Sequence, residues 1–223
     1  MISNIILYIP RAILRFVHRI VLGLKMAFSS KSYLVLTGFV HSKVYDSLKN
    51  EKDEYLPWMN YSVISLLNER LTADLRLFEY GSGSSTLYFA ERVAEIVTVE
   101  YDESWYNNVK QRSDHVENIS VHFAPVDDDY PRSIQRFGND QPFDLVIVDG
   151  RKRVESAVFA ISHLSEEGVV ILDDTERPHY GSAFDEFHKA GFKQLTLKGL
   201  KPTGFGIDQT TIFYKSGNNC LGL

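Results

Sequence analysis

The sequence predicts an α/β fold: a mostly parallel seven-stranded sheet, helices on both faces, and a C-terminal antiparallel hairpin. Three observations predict it. From residue 75 onward, short apolar runs alternate with helix-forming segments, the pattern of strands joined by crossover helices. The first strand-to-helix turn is glycine-rich, Gly81-Ser-Gly83, and follows an acidic residue, Glu79. At the other end, two strand-like runs, 194–198 and 210–214, have no helix between them, so they pair as a hairpin.

The elements follow in order. Residues 1–28 form a basic amphipathic segment. Pro10 suits a first helical turn. At about 100° per residue, Arg11, Arg15, His18, Arg19 and Lys25 fall within an arc of roughly 120°. Ile13, Leu14, Phe16, Val17, Ile20, Val21 and Leu24 fill the rest. A transmembrane span needs about 20 uninterrupted apolar residues, and the arginines break the run. A signal peptide fits badly, because its basic n-region and cleavage site are missing. Two readings stay open: a helix lying on an anionic membrane, or one docked on protein. Residues 29–74 read as a connector and capping helix. Asn50-Glu-Lys-Asp-Glu is a solvated charge run, and an amphipathic helix covers 61–71. Trp58 and Tyr61 either cover a ligand or pack in the core. The catalytic domain is expected over 75–223, with strands at 75–80, 96–100, 119–124, 143–148 and 168–172. Helices are expected at 85–94, 103–113, 130–137, 153–164 and 180–190.

Composition narrows the function. With 223 residues, 44% hydrophobic and 24% charged, the chain has material for one sizeable core. One cysteine, Cys220, excludes an intramolecular disulfide or a multi-cysteine metal site and suits a reducing compartment. Its polar, glycine-rich surroundings argue against a nucleophile. Up to residue 45 there are six Lys/Arg and no acid, so the remainder, with 18 basic and 29 acidic residues, carries −11. Such a domain lacks the clustered cations that nucleic acid requires.

Residues 79–100 carry the site. Glycines at a strand-to-helix turn let the backbone approach a ligand, and the helix start favours negative charge. Glu100 ends the second strand 21 residues after Glu79, where a carboxylate can accept hydrogen bonds from both ribose hydroxyls. Thr86 stands where a dinucleotide motif has its third glycine, and Glu79 would repel a pyrophosphate. A nucleoside bearing an ammonium group and one carboxylate, S-adenosylmethionine, fits better.

On these residues the chain resembles the class I S-adenosylmethionine-dependent methyltransferases, over roughly residues 55–215. The resemblance implies a Rossmann-like methyltransferase fold whose last strand is antiparallel. It implies cofactor contacts at Glu79, Gly81, Ser82, Gly83, Ser85, Thr86, Glu100 and Asp127, the last of which is equally readable as a turn. Downstream, Asp149, Lys152, Asp173 and Asp174 resemble the metal-dependent, catechol O-methyltransferase-like branch. That branch implies Mg²⁺ held by the three aspartates, with Lys152 catalytic. Asp174 replaces the usual Asn, and it also reads as a helix cap. His179 is a candidate base because its ordinary pKa lies near 6.5. Arg151, Lys152, Arg153 and Arg177 make the rim basic, which suits an acidic or phosphorylated substrate.

The expected activity is methyl transfer to a hydroxyl of a small molecule or glycan, oxygen ahead of nitrogen. Asp149, Lys152 and His179 would serve catalysis. No nucleic acid partner is expected. The expected place is the cytoplasm, with peripheral contact to the inner membrane face. A nicotinamide-dependent oxidoreductase and a non-catalytic cofactor-binding membrane protein are the alternatives.

Overall fold

The computed structural model describes residues 10–127, 129–138, 141–215 and 217–223. Seven strands form one sheet: β1 (Arg76–Tyr80), β2 (Glu95–Glu100), β3 (Ile119–Phe123), β4 (Phe143–Val148), β5 (Leu164–Leu172), β6 (Lys193–Gly199) and β7 (Asp208–Tyr214). Their order is β3-β2-β1-β4-β5-β7-β6. The first five are parallel, and β7 runs antiparallel between β5 and β6. The chain winds outward in both directions from β1 and β4, so these two strands flank the switch point where open sheets bind ligands.

The strands are apolar on both faces, as a sandwiched sheet requires. Side chains alternate with period two and sort into two cores. Leu77, Leu145, Ile147, Val169 and Ile171 face one side, where α4 (Tyr61–Arg70) and α5 (Ser84–Ala90) cover them. Phe78, Tyr80, Val146, Val148, Val170 and Leu172 face the other, under α8 (Arg153–Ala160) and α9 (Gly181–Lys189). Phe187 of α9 stacks on Phe213 of β7 with centroids 4.0 Å apart.

Several elements differ from expectation in extent. Strand β5 begins at Leu164 rather than 168. The helix expected at 130–137 is a 3₁₀ turn over Tyr130–Ile134 followed by the single turn α7 (Gln135–Gly138). The helix expected at 153–164 ends at Ala160, and a 3₁₀ turn leads straight into β5. Within the connector two short helices appear, α2 (Tyr33–Leu36) and α3 (Phe39–Tyr45). From Phe39 on, this segment shares the core of the sheet: Leu56, Met59, Tyr61, Val63 and Leu67 are buried with Leu77 and Ile96. Tyr61 is therefore a core residue, hydrogen-bonded through its backbone N–H to Leu200 O.

Helix α1 (Arg11–Phe28) is different in kind. None of its residues is buried. Phe16, Leu22, Leu24 and Phe28 are all more than half exposed. Residues 1–9 of the expected basic segment lie outside the described residues. Among the described residues, no helix is long and apolar enough to cross a membrane. The C-terminal tail is pinned rather than loose: Leu221 is buried, and the Cys220 thiol donates to Asp144 O at 3.1 Å. Burial pushes that thiol up to about 12, which leaves it inert.

Candidate functional site

The parallel strands end together, and their ladders continue one residue beyond. Gly81 N–H donates to Val99 O, Asp149 N–H to Tyr80 O, and Asp173 N–H to Val148 O. This brings the ends of β2, β1, β4 and β5 to one edge. Gly81 sits at φ +91°, and a Cβ there would lie 2.8 Å from Gly150 Cα. A Cβ on Gly150 would lie 2.3 Å from the Tyr130 hydroxyl. Both positions thus require glycine, and the two loops close onto each other over the switch point.

Two clefts open at this edge. The first, about 580 Å³, is lined by Gly81, Ser82, Gly83, Ser85, Glu100 and Trp105, among others. The Trp105 indole donates to Ser82 O at 2.8 Å, which stiffens the glycine loop. Trp58 forms part of the wall, its indole held by Pro202 O at 3.0 Å. The second cleft, about 620 Å³, contains Arg151, Lys152, Arg177, His179, Tyr180 and Ser182. Tyr101, Asp149, Gly150 and Arg153 line both. Lys152 opens α8 with φ +43°, a left-handed conformation unusual outside glycine. His179 is exposed at the rim, edge-on to Tyr180.

The carboxylates expected in the cofactor site are placed unequally. Glu100 reaches the first cleft, but its oxygens are already engaged. One accepts from Ser82 N (2.9 Å) and Ser82 Oγ (3.1 Å), the other from Tyr101 N (2.9 Å) and Asp102 N (3.0 Å). Four bonds fill its acceptor capacity. Glu79 does not line the cleft. It is fully buried behind the loop, accepting from Ser85 Oγ (2.5 Å) and Thr86 Oγ1 (2.6 Å). Thr86 in turn accepts from Gly83 N at 3.0 Å. Glu79 and Thr86 therefore hold the turn from beneath. Burial raises the Glu79 carboxyl to about 7, against the pull of the two hydroxyls. Asp127 lies outside both clefts, exposed, where its side chain accepts from Asp129 N in a turn; Asp128 lies outside the described residues.

Asp149, Asp173 and Asp174 do converge, with one oxygen of each within 4.8 Å of the others. They do not fit a divalent ion, however, because side-chain cations already hold Asp149 and Asp174. Arg153 pairs with Asp149 Oδ1 at 2.7 Å and with Asp174 Oδ2 at 3.0 Å. Lys201 bridges Asp174 (3.2 Å) and Asp208 (3.0 Å), and Arg177 adds a further pair to Asp174. Asp173 is buried and accepts from Thr210 Oγ1 at 2.5 Å. Burial, then Asp149 and Asp208, push its carboxyl well above the usual range. Burial also raises Asp149, to about 6, although Arg153 opposes the shift. Asp174 goes the other way: burial is outweighed by Arg153, Lys201 and Arg177, which hold it below the ordinary value. Arranged in this way, the three aspartates do not fit the expected Mg²⁺.

Sequence reasoning placed Arg153 only on a basic rim, though its i,i+4 spacing from Asp149 on a helix start was a usable signal. Lys201 and Asp208 arrive from the β6–β7 connection, and no local pattern announces them. Tyr101, directly after Glu100, and Trp105, four residues further on, were missed.

No curated protein sequence matches the chain. Solved structures match it in fold. An O-methyltransferase from Streptomyces achromogenes, TomG, in complex with SAM, superposes with TM-score 0.56 at 18% identity, covering 88% of this chain and 95% of that one. A precorrin-6y C5,15-methyltransferase from Geobacter metallireducens gives 0.52 at 17%, covering 69% and 86%. An rRNA methylase from Streptococcus thermophilus gives 0.54 at 13%, covering 70% and 96%. At these identities the likeness is one of fold, and the three acceptors differ. A family model described as a methyltransferase domain matches residues 78–175, the span from β1 to just past β5 that supplies most of the lining of both clefts. The chain has the class I, Rossmann-like methyltransferase fold, and this stretch of it is similar to a methyltransferase domain.

Proposed function

We propose that the enzyme binds S-adenosylmethionine in the glycine-loop cleft and methylates a hydroxyl of a small anionic molecule or glycan in the basic cleft. The observation that carries this reading is the junction: two clefts of ligand size meet at Asp149, one walled by a glycine loop, the other by arginines and lysine. The cradle suits the cofactor, since Gly81 and Gly150 let the two loops at its wall approach backbone to backbone. Bound there, S-adenosylmethionine supplies a methyl group on a sulfonium, which leaves with its bonding pair on sulfur as an acceptor oxygen takes the methyl. Glu100 faces the ribose, and Trp105 and Trp58 line the walls. Arg151, Lys152 and Arg177 draw the acceptor's negative charge and orient it. Asp149, side chain 21% exposed, takes the hydroxyl proton. With a value of about 6 it is ionised at neutral pH and falls idle in acid. Oxygen is favoured over nitrogen because a basic cleft disfavours a protonated amine.

The test has two arms. S-adenosylhomocysteine should bind by calorimetry, and NAD should not; the reverse would establish the oxidoreductase alternative. Against a panel of phosphorylated, sulfated and carboxylated hydroxy compounds, Asp149→Asn should lower kcat by about 10²–10⁴-fold with homocysteine-product affinity nearly unchanged. Undiminished turnover would remove Asp149 from the role of base.

We further place the reaction at the cytoplasmic face of a membrane. The single, half-buried cysteine suits a reducing compartment. Helix α1 exposes Phe16, Ile20, Leu24 and Phe28 beside Arg11, Arg15, Arg19 and Lys25, the composition of an interfacial helix on anionic lipid. A basic acceptor cleft behind such an anchor suits an anionic acceptor displayed at that surface.

A further inference from the structure

The Arg153 guanidinium is held at the strand ends by three hydrogen bonds and two ion pairs. Nε donates to Gly150 O at 3.0 Å. Nη1 donates to Asp173 O at 3.0 Å and pairs with Asp174 Oδ2 at 3.0 Å. Nη2 donates to Asp149 O at 3.2 Å and pairs with Asp149 Oδ1 at 2.7 Å. Each of its three nitrogens thus donates to a backbone carbonyl, and the two terminal ones also pair with carboxylates. The side chain is 11% exposed, so it is a built part of the edge rather than a surface arginine. Lys201, at 19%, bridges the next two carboxylates, Asp174 and Asp208.

We propose that Arg153 and Lys201 stand permanently in the place of a divalent cation, so that this enzyme organises Asp149 and the acceptor without metal. Two fixed positive charges sit among Asp149, Asp174 and Asp208. A Mg²⁺ ion needs oxygens at about 2.0–2.1 Å in near-octahedral array. Guanidinium nitrogens lie against the very oxygens it would use, and their charge repels it. The second acidic group, Asp174, Glu176 and Asp208, is blocked in the same way by Lys201. What the fork supplies is direction. A planar guanidinium gripping both the carbonyl and the carboxylate of Asp149 fixes that side chain where the two clefts meet. Arg153 is thus a positioning residue for Asp149.

The inference rests on the methyl-transfer reading for its chemical consequence, but its test does not. Mn²⁺, titrated into the full chain and followed by electron paramagnetic resonance, should show no saturable site at millimolar concentration. Arg153→Ala, which opens the cluster, should gain one site per chain, and Arg153→Ala/Asp174→Asn should lose it again. Stoichiometric Mn²⁺ on the wild-type chain would overturn the proposal, as would an Arg153→Ala variant that folds by circular dichroism yet gains no site. If Arg153→Ala does not fold, the wild-type titration decides alone. Methyl transfer to any acceptor found should persist in excess EDTA; its loss and rescue by Mg²⁺ would also overturn the proposal, leaving the methyltransferase assignment intact.

Discussion

At Glu100 and Ser82 the proposed ribose site is already filled by the loop's own donors. The carboxylate accepts three backbone N–H groups, which fix it, and one hydroxyl, Ser82 Oγ, which can rotate away. A ribose hydroxyl entering the cleft can replace only that fourth partner without breaking the loop. The two residues should therefore respond oppositely to truncation. Glu100→Ala removes a charged acceptor and should cost roughly 1.5–3 kcal/mol of S-adenosylhomocysteine binding, about 10- to 150-fold in Kd. Ser82→Ala removes a competitor for that acceptor and should leave affinity equal or slightly improved. Calorimetric titration of both variants checks the pair. A large loss in Ser82→Ala together with none in Glu100→Ala would place the ribose elsewhere.

Among the elements, α1 contributes nothing to the core and yet exposes Phe16, Leu24 and Phe28 alongside its arginines. A helix of this sort acts through what it touches. Near an anionic bilayer each arginine is worth about 1 kcal/mol. Replacing Arg15 and Arg19 with Gln should weaken partitioning to phosphatidylserine vesicles by roughly 30-fold. The urea midpoint should not move, since no native contact of the core is lost. Flotation unchanged by the double variant would favour a docked helix instead. Elements of this kind show how far the sequence could be read. Strands β1, β2 and β4 were legible to within a residue, because a buried parallel strand is an apolar run bounded by polar turns. The glycine loop was legible because Gly81 needs a positive φ. The region around Pro131 was not, since a 3₁₀ turn and a short helix share the composition of one helix. Nor was the cation set at the aspartates. Lys201 reaches them across 27 residues of chain from Asp174, and only the insertion of β7 between β5 and β6 brings it there.

For the molecule as a whole, carboxylates buried at the strand ends set how stability depends on pH. Glu79 has a folded value of about 7 against an ordinary 4.5, and Asp149 about 6 against 3.8, both raised chiefly by burial. Each group therefore holds its proton more tightly in the native state than in the unfolded chain. Between about pH 4 and 7 these two groups bind more protons in the native state, so their contribution to stability falls as pH rises. The benefit is complete below the unfolded values and is lost through the folded ones, near 6 for Asp149 and near 7 for Glu79. For Glu79 the shift corresponds to roughly 3 kcal/mol. The residue can be isolated because Gln keeps the shape and one acceptor while removing the titration. Glu79→Gln should lose stability at about pH 5, where wild-type Glu79 is neutral and bonded to Ser85 and Thr86. Relative to wild type it should then recover steadily toward about pH 8, where wild type bears a buried charge and the variant does not. Urea unfolding of both proteins across that range measures the difference directly. Two parallel curves would mean that Glu79 is charged throughout, its burial offset by the hydroxyls of Ser85 and Thr86 alone.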